Sequence, residues 1–589
     1  MWLDEQVEPG SARMHIDSAG RQYTTVGGRR RAYTCYLLRR SFRDEQGRPR
    51  KETLANLSAL PDDAIMALRK ILKGATLVDA EQAFQTERSV PHGDVAAAHV
   101  MAAKLGLRKL LGPACAEREI AYALILSRAV RPESKLSTAG WWAAGDTTLG
   151  IDLGVAGVTT DEIYTAMDWL VSRQRHIEAG LAARHLSAGG IAMFDLSSSW
   201  VEGTQCELAA FGYSRDGKRG RKQIEYGLLT DPVGRPVAVE VFAGNTGDAV
   251  SVKTAITRVR DDFGIANLIL VGDRGMITKT RIAELRQLPG MDWITALRAP
   301  AIAALARDHG PLQMSLFDEH NLAEISHPDY PGERLICCRN PVLAAQRARK
   351  RQELLAATAQ DLAKIKQAAD AGKLTGADKI GERVGKVIDK HKVGKHFIRD
   401  ITDTSFTFGR DEEKIAAEAA FDGIYVIRTS VSADTLTCAD TITAYKNLKY
   451  VERDFRITKT DDLDLRPIYH YRENRVRAHV LICMLAAYLT WHLREAFSEL
   501  TYTDQDIPPA HDPVAPAQRS AQAKTKDASK RNADNLPVCK YQDLLHHLAT
   551  LDRQTIVFDG QKIEKLTTPT PVQRRAFELL GAPIPLTLQ

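Results

Sequence analysis

At 589 residues the chain is too long for one ordinary domain, and roughly three to four domains or large subdomains are expected. Its 80 Lys and Arg against 74 Asp and Glu leave a mild +6, which permits nucleic acid as a partner without demanding it. The eight cysteines contain no C-x-x-C pair, and no G-x-x-x-x-G-K-[ST], G-x-S-x-G or H-E-x-x-H occurs, so structural zinc, a disulfide framework, P-loop hydrolysis and the common serine and zinc hydrolases drop out. The longest apolar stretch, VLICMLAAYL at 480–489, is too short to span a bilayer, and no basic leader precedes an apolar run. A soluble chain made in the cytoplasm, with no membrane partner, is the expectation.

In chain order, residues 1–60 contain a basic stretch, RAYTCYLLRRSFRDEQGRPRKETLANL, that reads as a hairpin turning at Glu45–Gly47. Helical patterns dominate 61–188, a candidate DNA-binding domain, with a capping box at Thr159 and Glu162. Within it REIAYALILSRAVRPESKLSTAGWW fits a helix, a turn at Arg131–Pro132 and a second helix carrying Lys135. That is the pattern of a helix-turn-helix and of any helical hairpin.

The texture changes at Gly189. GIAMFDLSSSW reads as a strand, KQIEYGLLTDPVGRPVAVEVFAG as a hairpin, VSVKTAITRVRDDFG as a helix, and NLILVGDRG and DWITAL as further strands. Three strands in a meander, a helix and then a buried strand is the order of RNase H-like folds, assigned to 189–297 and resumed at 421–502. Between them 298–420 forms an inserted α+β subdomain with two long polar helices. Residues 503–536 are rich in Pro, Ala, Ser and charge and read as a flexible linker, and 537–589 as a small tail. The fold class is therefore α/β, with a mainly helical domain in front of a split core.

Two acids stand out on strands. Asp195 lies mid-strand between Phe194 and Leu196, where an unmatched carboxylate is costly to bury. Asp273 ends the run LILVGD before Arg274 and Gly275. That placement suits a turn former as well as a ligand, and Arg274 suits either a phosphate contact or a pair with a nearby acid. A third acid, Glu452, falls in YKNLKYVERDFRITKT, read as one helix over about 439–460. Tyr445, Glu452 and Lys459 are spaced seven apart and share an exposed face, with Lys449 and Arg456 on either side of Glu452. An ion-paired solvent face gives the same pattern.

These three separated motifs, in this order, resemble the DDE transposases of bacterial insertion sequences, in the cut-and-paste branch marked by Y-x2-R-x3-E-x6-K. Here the motif reads Tyr445, Leu448, Glu452, Lys459, so its arginine is replaced by Leu448, with Lys449 beside it. The resemblance implies catalytic, metal-binding roles for Asp195, Asp273 and Glu452 around two Mg2+ ions, with Mn2+ able to substitute. It implies phosphate or DNA contacts for Tyr445, Lys449, Arg456, Lys459 and Arg274. Its implied partners are double-stranded DNA, as inverted-repeat ends and target, and a second copy of the chain in a homodimer on DNA. Two rival functions remain at this stage: a catalytically silent repressor derived from a transposase, and an RNase H-like nuclease or resolvase without strand transfer.

Overall fold

Residues 31–57 form the expected hairpin, built from strands β2 (Arg30–Arg43) and β3 (Pro49–Asn56), with β1 (Arg13–Thr24) antiparallel on the other side of β2. Asp44 shapes the turn by accepting from the Gln46 and Arg48 amides at 3.1 and 2.9 Å. Gly47, at φ +75°, supplies the left-handed residue. The computed structural model describes residues 13–24, 26, 28–75, 84–307, 310–317, 320–508, 512–558 and 561–588. Parts of the hairpin region (1–12), the helical region (76–83), the insertion (308–309, 318–319), the linker (509–511) and the tail (559–560, 589) therefore lie outside the described residues. The chain divides into two units, residues 1–89 with 554–565 and residues 90–553 with 566–589. Besides the β1–β3 sheet, the first contains helix Asp62–Ile71 and most of a small sheet in which β4 (Phe84–Pro91) adjoins strand Asp552–Phe558.

In the second unit the capping box is made as expected. Thr159 accepts from the Glu162 amide, and the Glu162 carboxylate accepts from the Thr159 amide at 2.8 Å. The segment 118–142 is a helical hairpin, Ala116–Val130 and Lys135–Ala144. Its first helix is core, with Ile120 to Ala129 buried, and Lys135 turns inward, 5% exposed, 3.4 Å from the His479 ring. As it stands, Lys135 is not presented to a DNA backbone.

Behind these helices stands an eight-stranded mixed sheet. Its strands are β5 (Ile191–Trp200), β6 (Gln223–Thr230), β7 (Pro236–Ala243), β8 (Leu268–Val271), β9 (Met291–Ala296), β10 (Leu322–Ile325), β11 (Arg334–Arg339) and β14 (Ile424–Thr429), while the hairpin β12 (Phe397–Ile401) and β13 (Phe406–Arg410) lies apart from it. The order is β10-β11-β14-β9-β8-β5-β6-β7. β5, β6 and β7 form an antiparallel meander, and β8 and β9 run parallel to β5. Alternation along the strands sorts the core into two layers. Met193, Tyr226, Ile269 and Val271 face helix Glu473–Ala496 and the front helices, whereas Phe194, Leu196, Leu268 and Leu270 face the side covered by helices Asp248–Thr257 and Lys279–Leu285. Helix Glu473–Ala496 is long and apolar enough to cross a membrane, which the expectation from residues 480–489 did not allow for. It is 83% buried along its apolar stretch, as a central core helix is.

The insertion differs in extent from the reading of 298–420 as one body. β10 and β11 extend the main sheet through β14 and pack with Ile302, Leu305, Leu312 and Phe317 in one cluster, whereas the later part, with helices Pro341–Asp370 and Ala377–His391 and the β12–β13 hairpin, gathers a second core around Leu355, Leu362, Ile380 and Phe406. The stretch 503–536 is not an open linker where it is described. It carries helix Ala521–Ser529, buries Val514, and anchors Lys526 to the Ser498 carbonyl at 2.8 Å. Composition misled here because its polar groups are satisfied by the body of the protein instead of by water. The tail helix Tyr541–Ala549 likewise buries Leu544, Leu545 and Leu548.

The end of the β11–β14 pairing, the edge where β11 begins, is pinned by a buried ion pair, whose Glu333 also accepts from Arg286 at 2.6 Å. Arg428 donates to both oxygens of Glu333 at 2.6 Å, and the two side chains are 7% and 1% exposed. Removing one partner strands the other, so Glu333→Ala should cost about 3–5 kcal/mol in denaturant unfolding. Glu333→Leu combined with Arg428→Met should recover most of that loss. A single-variant loss below about 1 kcal/mol would show that the pair does not hold this edge.

Candidate active site

Parallel pairing of β5 with β8 sets Met193 opposite Val271. Two residues further along, Asp195 and Asp273 fall side by side where β8 ends. The Asp195 carboxylate accepts from the Leu196 amide at 2.8 Å. Asp273 does what a turn former does, accepting from the Gly275 amide at 3.3 Å, and its side chain also stays exposed to a cleft. The two readings of LILVGDRG are thus compatible.

The third acid arrives on a helix. Thr437 caps helix Cys438–Lys446 by accepting from the Asp440 amide, and the chain continues through Asn447 into helix Leu448–Arg456. Val451 and Phe455 are its buried stripe, and the Phe455 ring meets Tyr226 of β6 edge-on at 5.7 Å between centroids. Docking that stripe on the sheet leaves Lys449, Glu452 and Arg456 on the exposed side. A cleft of about 370 Å³ is lined by Asp195, Asp273, Glu452, Tyr445, Leu448 and Lys449, among others. On the other side of the aspartates a second cleft, about 750 Å³, is lined by Asp195, Asp273, Arg215, Glu225, Tyr213 and Asn245.

Electrostatics register the convergence. Burial pushes the Asp195 carboxyl up to about 7, the neighbouring Asp273 and Glu452 charges add to the rise, and Arg215 opposes it. Burial likewise pushes the Tyr445 phenol up to about 12, with Asp273 and Glu452 contributing, so it remains a donor at neutral pH. Even so, among the described residues no group of three or more His, Cys, Asp or Glu side chains is gathered closely enough to hold a metal ion. The acids share a cleft without forming a closed ligand set.

Three of the remaining expected contacts lie elsewhere. Arg456 is exposed, one turn beyond Glu452, and is not among the residues lining either cleft. Arg274 is exposed and lines a third cleft of about 820 Å³ with Arg307, Arg347 and Lys350 of the insertion region. Lys459 is a correction. The helix does not run on regularly to residue 460 but widens into a π-helical turn over Ile457–Asp461, and i→i+5 bonding takes Lys459 off the Glu452 face. Its side chain, expected to be exposed, is 10% exposed and donates to Asp216 at 2.7 Å.

Sequence reasoning passed over Arg215 and Asp216. Both lie in GYSRDGKRG, where Arg215 donates to the Leu196 carbonyl at 2.8 Å and its amide to the Ser198 hydroxyl at 3.0 Å. The signal available was that charge-dense loop following a strand that carries an acid.

In class, the chain is similar to the transposases of insertion sequences. More particularly, residues 24–87 match the N-terminal domain of IS1634 family transposases. No match was found among curated proteins. Among solved structures, a cryo-EM structure of a piggyBac transposase synaptic complex with hairpin DNA is similar at 7% identity and a TM-score of 0.33, covering 68% of this chain and 72% of that one. That likeness is too slight to bear on the site.

Because Asp216 is 3% exposed and also paired with Arg466, Lys459→Ala should destabilise by about 3 kcal/mol, the low end for breaking a buried pair. An exposed lysine pair would give at most about 1 kcal/mol, and unfolding curves separate the two outcomes.

Proposed function

We propose that the chain is a DNA transposase with a split RNase H-like core, whose acids Asp195, Asp273 and Glu452 carry out strand cleavage at inverted-repeat ends and strand transfer to target DNA. The observation that carries this reading is the β5–β8 register, which sets two acids 78 positions apart in sequence side by side, with Glu452 on the same cleft. The strand order β7-β6-β5-β8-β9, antiparallel meander first and parallel strands after, supports the RNase H-like reading of the core.

The donor set suits hard divalent cations, being all carboxylate oxygen, with one carboxyl raised by burial and, to a lesser degree, by its neighbours' charge. Asp195, Asp273 and Glu452 would hold two Mg2+ ions among them; Mn2+ would be accepted by the same oxygens. Bound there, the ions supply activation of water or a 3′-hydroxyl and neutralisation of the leaving oxygen. The chain's own groups do the rest. Tyr445 donates its phenolic proton to a phosphate oxygen, Lys449 balances phosphate charge beside Leu448, and Arg215 offsets negative charge at Asp195. Lys459 acts through Asp216 as a positioning residue. Pairing two DNA ends calls for two copies of the chain, so a homodimer on DNA is part of this proposal.

Asp273→Asn keeps size and removes charge. End-bearing duplex should still bind, while Mg2+-dependent cleavage falls by at least a hundredfold; cleavage equal to wild type would refute the mechanism.

The pH dependence follows from Asp195. Its folded-state value, about 7, lies above the ordinary 3.8, so its stabilising contribution is complete below about 3.8 and is lost as pH rises through 7. Without divalent metal, wild type should lose melting temperature relative to Asp195→Asn between pH 4 and pH 8, and Mg2+ at pH 8 should raise the wild type alone. A constant offset across that range would show that Asp195 is not held against its charge.

A further inference from the structure

Residues 13–56 hold ten arginines and one lysine against four acids, a net of +7, which exceeds the +6 of the whole chain. The rest of the protein is therefore slightly acidic, and its basic character is concentrated in the three-stranded sheet β1–β2–β3. That sheet is thinly covered: seven of the eight residues of β3 are exposed, and Tyr23, Tyr33 and Phe42 keep 47%, 47% and 39% of their surface open. The acids do not neutralise it. Asp17 serves both Arg39 and Lys51, Glu52 pairs with Arg40, and Asp44 with Arg50, yet Arg40, Arg50 and Lys51 remain 46%, 60% and 57% exposed.

We propose that the β2–β3 ribbon is a docking surface for duplex DNA, with Arg43, Arg48 and Arg50 at its tip on the phosphates. Three observations favour duplex DNA over an acidic protein. Guanidinium outnumbers ammonium ten to one, and its planar fork matches phosphate oxygens in pairs. The tip is preorganised, since Asp44 holds the turn amides and Arg43 donates to the Gly47 carbonyl at 2.7 Å. Beyond Ser41, which pairs with Arg13 at the start of β1, only β2 and β3 continue among the described residues, and a two-stranded ribbon has the width that a major groove of about 12 Å admits. The inference rests on the transposase reading for the identity of the nucleic acid, and assigns end binding to this ribbon instead of to the helical hairpin at 116–144.

The test uses the full chain, a triple variant Arg43→Ala, Arg48→Ala, Arg50→Ala, and its counterpart with lysine at the same three positions. Binding to a random-sequence duplex and to a single strand of the same length is followed by fluorescence anisotropy across salt. The alanine triple should bind duplex at least tenfold more weakly, with the salt slope reduced by about two to three, from a contribution near 0.9 per phosphate. The lysine triple should retain the slope. Affinity and slope within twofold of the parent overturn the proposal, as does equal loss in the lysine triple, or loss confined to the single strand. Mg2+-dependent cleavage at saturating DNA is read in parallel. A parent that never cleaves, with the slope change intact, removes the catalytic reading alone, while normal cleavage with an unchanged slope removes the ribbon alone.

Discussion

The arrangement of the second unit depends on two carboxylates set level on adjacent parallel strands, Asp195 midway along β5 and Asp273 just past the end of β8. Pairing of Met193 with Val271 fixes their level, and the same low-dielectric sheet that positions them makes their mutual repulsion expensive. The structure meets that cost in three ways. Asp273 stays at the solvent edge and satisfies one oxygen on the Gly275 amide, Asp195 takes the Leu196 amide, and Arg215 is held nearby by its bond to the Leu196 carbonyl. Burial of Asp195, with a smaller contribution from the Asp273 and Glu452 charges, still raises its carboxyl toward neutrality. A surrounding of this kind accepts positive charge readily, and rigid strands on a sheet covered on both faces keep the acids from drifting apart.

Much of this was legible in the sequence because it depends on local pattern. Short apolar runs bounded by turn residues marked β5 to β9, the Asp231–Gly234 turn marked the β6–β7 hairpin, and the run LILV ahead of Asp273 marked a buried strand with an acid just beyond its tip. The capping box at Thr159 and the turn after Arg43 were equally local. What pattern could not supply was satisfaction by distant groups. The segment at 512–515 looks like linker because it lies in a stretch rich in Pro, Ala, Ser and charge, yet Lys446 donates to the carbonyls of Val514 and Ala515, both at 2.9 Å, and Asn340 to that of Val514 at 3.2 Å. No spacing rule reports a carbonyl partner sixty-odd positions away.

Lys459 shows the same limit at the site itself. Seven-residue spacing places it under Glu452 only if every turn has 3.6 residues, and a single π-helical turn is enough to break the inference. The buried Asp216 that receives it sits in a loop 243 positions earlier, so the motif lysine and the GYSRDGKRG loop are one structural unit. Its role is then to hold that loop, and Arg215 with it, against the strand bearing Asp195.

The departure at Leu448 can be weighed in this light. A guanidinium at 448 would face the cleft of the three acids, where Leu448 now contributes apolar surface. Two other cations flank that position. Both line the cleft, but the Lys446 ammonium donates to the carbonyls of 513–515, while that of Lys449 lies 5.0 Å from the Tyr450 ring centroid. Of these two, charge balance near Leu448 therefore falls to Lys449, whose ammonium is a point charge without the two-pronged geometry of arginine. On the far side of Asp195 the guanidinium of Arg215 already lines the larger cleft. Cations thus line both clefts of the acids, Lys449 from the helix of Glu452 and Arg215 from the loop after β5, although the arginine of the motif is absent.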